Sequence, residues 1–126
     1  MTLTALVSGG SAGMRETAIY SALEQDLARS GVHLGTALIL EGLPDGKAAK
    51  LPPGLEHDLD IKRIAPGCLC CIGNLTLRVT LNRLLRKPPA RLYISIADST
   101  HLAQLRAFLL LPPYDDFLEM TADLAV

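Results

Sequence analysis

The sequence predicts a three-layer α/β domain with a mostly parallel central sheet, and three patterns carry that expectation. Short continuous apolar runs, of the kind needed by strands buried on both faces, alternate with longer segments whose apolar residues recur at helical spacing. Aromatic residues make up only 4% of the chain and tryptophan is absent, so the core must be built from aliphatic side chains. The 126 residues are 49% apolar and 20% charged, which is enough for one real core and too little chain for a second full domain. One domain over residues 1–126 is the expectation.

The elements follow in order. Leu3 to Ser8 is a short apolar run closed by Gly9-Gly10-Ser11-Ala12-Gly13, a strand running into a glycine turn. Ala18, Ile19, Ala22, Leu23 and Leu27 then recur at helical spacing up to Gly31. Thr36 to Leu40 is a second buried strand, so residues 3–40 read as a βαβ unit. Glu41 to Asp60, with Pro-Asp-Gly at 44–46 and Pro-Pro-Gly at 52–54, reads as a long loop inside the domain. Ile61 to Ile64 is a short strand and Gly67 to Cys71 a turn. Leu75, Val79, Leu81, Leu84 and Leu85 give the next helix its apolar face, which Pro88-Pro89 ends. Arg91 to Ala97 is a third buried strand. Leu102, Leu105, Phe108 and Leu109 mark a helix that stops before Pro112-Pro113, and Phe117 to Val126 is strand-like. That final strand has nothing after it, so the domain is expected to be shortened relative to a longer ancestor, or to have its edge covered by another subunit.

Charge and hydropathy exclude some classes of function. Twelve basic against thirteen acidic residues give a net charge of -1, with no block of like charge, so no footprint for nucleic acid or an anionic membrane is expected. The longest apolar stretches fall far short of the roughly 20 residues that a membrane helix needs, and Met1-Thr-Leu-Thr lacks the basic start of a signal peptide. A cytoplasmic location is the expectation.

Two segments carry chemistry, and in such sheets both belong at the carboxyl ends of the strands. A phosphate-binding loop needs G-x-x-x-x-G-K-S/T, with glycines for close backbone approach, lysine for phosphate charge and a hydroxyl for magnesium. Laid on Gly9, the frame survives through Gly10 and Gly13. Met14, however, stands where the second glycine is needed, Arg15 where lysine is, and Glu16 where the hydroxyl is. Glu16 weighs most, because a carboxylate repels phosphate where a hydroxyl would hold its metal. Tight triphosphate binding is not expected. A weak anion site on the helix N-terminus and Arg15, worth about 1 kcal/mol at an exposed end, stays open. The alternative is a tight turn that serves only packing.

The second segment holds all three cysteines, Cys68, Cys70 and Cys71, an odd number too tightly spaced to staple a secreted fold. Thiolates so spaced on a glycine turn at a helix start can converge on one soft cation, and the helix dipole favours the thiolate form. Zinc wants a fourth ligand, for which His57, Asp98, His101, water or a cysteine of a second molecule are candidates. The competing readings are buried cysteines acting as small apolar residues and vicinal thiol redox chemistry. His101 also reads as a solvent-exposed residue of a first helical turn, and His57, with Glu56 and Asp58, as part of a solvated loop.

Ile64-Ala65-Pro66-Gly67-Cys68-Leu69-Cys70-Cys71, followed by a leucine-rich helix, resembles the G-C-x-C-C segment of the CobW-like GTPases, metallochaperone relatives of the UreG and HypB proteins. The resemblance extends from the glycine loop to the third buried strand and corresponds to the first part of that family's GTPase domain. It implies a P-loop-NTPase-like fold, GTP and magnesium as cofactors, and a transition metal, typically zinc, on Cys68, Cys70 and Cys71. Gly9 matches the first glycine of the family's loop and Thr17 the threonine that follows it, while Met14, Arg15 and Glu16 replace Gly-Lys-Thr. Ser95 takes the place of the family's glutamate and Asp98 that of a glycine, while His101 keeps a histidine found in one branch. The base-recognition N-K-x-D segment has no counterpart within these residues.

Taken together, these residues imply a metal-binding domain that has lost GTP hydrolysis and acts in metal handling through a protein partner. Two alternatives stand beside it. One is a residual GTPase using Gly9, Gly10, Gly13, Arg15 and Thr17 for phosphate, and the other a structural or regulatory pseudo-GTPase that forms a homodimer or binds a longer relative.

Overall fold

In the computed structural model, residues 2–30, 35–42, 59–64, 75–97, 100 and 102–126 are described. Strand β1 (Thr2–Ser8) leads into helix α1 (Ala12–Ser30), which is followed by β2 (Thr36–Glu41) and β3 (Leu59–Ile64). Helix α2 (Leu75–Leu84), β4 (Arg91–Ile96) and helix α3 (Leu102–Leu109) come next. A 3₁₀ turn (Tyr114–Asp116) then leads to two short strands, β5 (Leu118–Met120) and β6 (Leu124–Ala125). The six strands form one sheet in the order β3-β2-β4-β1-β5, with β6 also on β1, and every pairing is parallel. This is a three-layer α/β domain with a parallel sheet, as the alternation of apolar runs predicts, and it is P-loop-NTPase-like, as the resemblance implies.

Parallel pairing with helices on both faces leaves the central strands no solvated side, and β2 is accordingly buried at all six of its residues. The alternation of side chains along each strand divides the core in two. Ala5 and Val7 of β1, Leu38 and Leu40 of β2 and Tyr93 of β4 pack under Ile19, Tyr20 and Leu23 of α1. Leu6, Ala37, Ile39, Leu92, Ile94 and Ile96 face the other way, onto Leu77, Leu81 and Leu84 of α2 and Leu105 and Leu109 of α3. The path from β1 to β2 passes across β4 and the step to β3 continues the same way, whereas the crossovers through α2 and α3, from β3 to β4 and from β4 to β5, run in the opposite direction. A crossover of constant hand that reverses direction puts its helix on the opposite face, which is why α1 lies across the sheet from α2 and α3.

Two details correct the sequence reading. The apolar face assigned to α2 combines two sides of that helix. At about 100° per residue, Val79 lies about 200° from both Leu77 and Leu81, so it cannot share their face. Leu77, Leu81 and Leu84 are buried, whereas Leu75 is 74% and Val79 41% exposed. The carboxyl-terminal strand, in turn, is two strands. β5 lies beside Thr2–Thr4 and β6 beside Val7–Ser8, so they take successive halves of one edge of β1. Between them Thr121 donates from both its N–H and its hydroxyl to the carbonyl of Thr4, at 2.8 and 3.1 Å.

The long loop expected over Glu41–Asp60 gives up both its ends to strands, since β2 runs through Glu41 and β3 starts at Leu59. No described helix is long and apolar enough to cross a membrane.

Candidate functional site

The turn after β1 lies at the carboxyl edge of the sheet, with the end of β4 on one side and β6 on the other, and the end of β2 beyond β4. Gly9 and Gly10 hold φ of 91° and 56°, a left-handed region that side chains rarely adopt. At Gly9 a Cβ would also collide with the carbonyl oxygen of Val126, whose N–H donates to Ser8 at 2.9 Å. Ser11 caps α1: its hydroxyl accepts from the N–H of Met14 at 3.2 Å and its carbonyl from the N–H of Arg15 at 3.0 Å. The half-exposed side chain of Met14 lies against Gly10.

Arg15 points back into this turn instead of out to solvent. It is 3% exposed, and Nε donates to the Ser95 hydroxyl at 2.7 Å. Nη1 donates to the carbonyls of Gly9 and Gly10 at 3.3 and 3.0 Å, and Nη2 to the carbonyl of Glu41 at 3.3 Å. Two carbonyls of the turn therefore face its interior, which suits a cation. Burial pulls the guanidinium pKa below its ordinary value, and the nearby carboxylates of Glu41 and Glu16 work against that shift.

Glu16 lies on the sheet side of α1, 2% exposed, and accepts from Nη1 of Arg63 on β3 at 2.6 Å. Its second oxygen, Oε2, is buried with no hydrogen-bond partner among the described residues. Glu41, at the end of β2, is also buried, and its Oε1 accepts from the N–H of Ala97 at 2.7 Å. Thr17 faces outward and its hydroxyl donates to the carbonyl of Gly13 at 2.9 Å, closing on its own helix.

Of the residues singled out in the sequence, the structure brings Gly9, Gly10 and Arg15 into one contact set together with Ser95. Gly13 and Thr17 meet each other on the outer side of the first turn of α1. Cys68, Cys70, Cys71, His57, Asp98 and His101 lie outside the described residues, as does the turn expected at Gly67–Cys71. Among the described residues, no group of three His, Cys, Asp or Glu side chains is placed to hold a metal ion.

Sequence reasoning missed Glu41 and Arg63. An acid closing an otherwise apolar, fully buried strand was a readable signal for Glu41. No local spacing links Arg63 to Glu16, 47 positions away.

By its fold the chain is a P-loop-NTPase-like, three-layer α/β domain, and the glycine turn after its first strand encloses a side chain of the protein itself. Over 67 residues, 52% of its length, it is 36% identical to the zinc chaperone YeiR of Escherichia coli strain K12. The matched stretch spans 20% of that relative, so the chain corresponds to a small part of it. No family model matches the chain. No solved structure matches it either.

Proposed function

We propose that this domain handles zinc, carrying it as cargo on Cys68, Cys70 and Cys71 and passing it to a protein partner, and that it has lost GTP hydrolysis. The observation that carries the reading is the likeness to a zinc chaperone over half of the chain. The cluster of cysteines at 68–71 supplies the soft ligands such cargo needs, and the resemblance of that segment to the CobW-like proteins points the same way. With three sulfurs per chain, the fourth position falls to water, which keeps the metal exchangeable, or to a second chain, which would bridge a homodimer.

The loss of hydrolysis rests on the turn after β1. Magnesium-bound nucleotide does not fit the residues present. Glu16 brings a carboxylate where a metal-binding hydroxyl is required, the hydroxyl of Thr17 is turned onto Gly13, and Arg15 is held by the protein's own acceptors. A residual GTPase would need Arg15 at the phosphates, and these bonds oppose that.

Zinc titration of the reduced chain against a competing chelator, read by native mass spectrometry, tests the proposal. We expect one zinc per chain with proton release, and Cys70→Ser should weaken uptake by orders of magnitude while leaving the melting temperature of the metal-free protein unchanged. GTP should show no binding in the micromolar range. Absence of zinc uptake in both forms, with Cys70→Ser costing a few kcal/mol of stability, would make the cysteines core packing and end the proposal.

A further inference from the structure

We infer that the turn after β1 is a cation cradle saturated from within: the Arg15 guanidinium is its occupant and ties together the ends of three neighbouring strands. The bonds of Arg15 reach Gly9 and Gly10 after β1, Ser95 on β4 and Glu41 at the end of β2, and these strands are adjacent in the order β2-β4-β1. Two strand spacings amount to about 10 Å, a span that a planar fork with diverging N–H groups can bridge from its middle. Every acceptor is a neutral oxygen, so each bond is charge-assisted on the donor side only.

Carbonyls of two successive positive-φ glycines point at the guanidinium. The cradle's ligand class is thus a small planar monocation, and phosphate is the wrong charge for it. Lysine cannot replace the arginine, since a single ammonium cannot reach acceptors on both sides of the central strand. The inference goes beyond the metal reading and does not depend on it. Zinc uptake by the cysteines leaves it untouched, and failure of zinc uptake would not weaken it.

The test uses the full chain. Arg15→Ala should lower the melting temperature by about 10 °C, as expected when several bonds of one buried side chain are lost from a domain of this size. Guanidinium or methylguanidinium at low millimolar concentration should then raise the melting temperature of this variant saturably, while sodium chloride at equal ionic strength and pyrophosphate should not. Arg15→Lys should melt close to Arg15→Ala. In the unaltered chain, the Arg15 Nε–H resonance, assigned by its disappearance in Arg15→Lys, should exchange with water much more slowly than exposed arginines, which keeps the inference testable if the alanine variant fails to fold. Fast exchange of that proton, an unchanged melting temperature in Arg15→Ala, or stabilisation of Arg15→Ala by pyrophosphate in place of guanidinium would each overturn it.

Discussion

Arg15 and Glu16 are consecutive, oppositely charged and both almost fully buried, yet their bonds run to different parts of the sheet. Arg15 reaches β4 and the turn, and Glu16 reaches Arg63 on β3. The Glu16–Arg63 pair is asymmetric, since the carboxylate is 3% exposed and the guanidinium side chain 37%. Removing one partner therefore has unequal costs. Arg63→Ala strands a buried carboxylate that already has one oxygen without a partner, and should cost about 3 kcal/mol, the lower end for breaking a buried pair. Glu16→Ala leaves an arginine that can turn to water, and should cost about 1 kcal/mol. Urea unfolding of both variants checks the order, and Glu16→Ala being the more costly would refute it. The sequence made Glu16 conspicuous as a charge in a phosphate-loop frame. It could not show where that charge goes, because the partner comes from another strand and from a pairing register that no local pattern reports. The same holds for Arg15 and Ser95, which are 80 positions apart.

At the scale of elements, the strands were the most legible part. Thr36–Leu40 and Arg91–Ala97 are largely apolar segments, and β2 throughout and β4 from Leu92 to Ile96 have the continuous burial that a central parallel strand requires. Helix α2 was legible as a helix but not in its orientation, because its leucines at 75, 77, 81 and 84 and the valine at 79 go around the cylinder more than one way. Packing decides among them. Leu77 is fully buried between α2 and the sheet, so Leu77→Ala should cost about 3 kcal/mol through lost burial and a residual cavity. Leu75→Ala, at a position mostly in water, should stay within about 0.5 kcal/mol of the parent. Equal effects at the two positions would mean that α2 presents a different face to the sheet. The split of the last strand was not legible, since Leu118–Met120 and Leu124–Ala125 differ only in which half of β1 they meet, and that is settled by the bonds of Thr121 to Thr4.

Across the whole molecule, the two cores on opposite faces of the sheet are reported by the chain's three tyrosines, with no tryptophan to mask them. Tyr20 and Tyr93 belong to the core under α1, and Tyr114 to the core shared by α2 and α3. Tyr114 also donates from its hydroxyl to Asn82 Oδ1 at 3.1 Å and packs its ring against Phe108, joining the 3₁₀ turn to both helices. Burial raises all three phenol pKa values above the ordinary value of 10.0, aided at Tyr20 by Glu16 and at Tyr93 by Asp26, while Arg78 counteracts it at Tyr114. In the unfolded chain each phenol ionises near pH 10. Below that pH both states are protonated and the tyrosines make no difference to the pH dependence. Above it the unfolded chain releases its protons first, so folding stability falls as pH rises through the interval between the unfolded and folded pKa values. Tyrosinate absorbance followed together with far-ultraviolet circular dichroism should show phenol ionisation delayed beyond that of free tyrosine and coincident with loss of the fold. Because the tyrosines sit on both sides of the sheet, one transition should serve all three, and Tyr93→Phe should make the loss of stability above pH 10 less steep. Stepwise ionisation near pH 10 with the circular dichroism intact would show that these phenols are open to water, and that the two cores do not close over them as one unit.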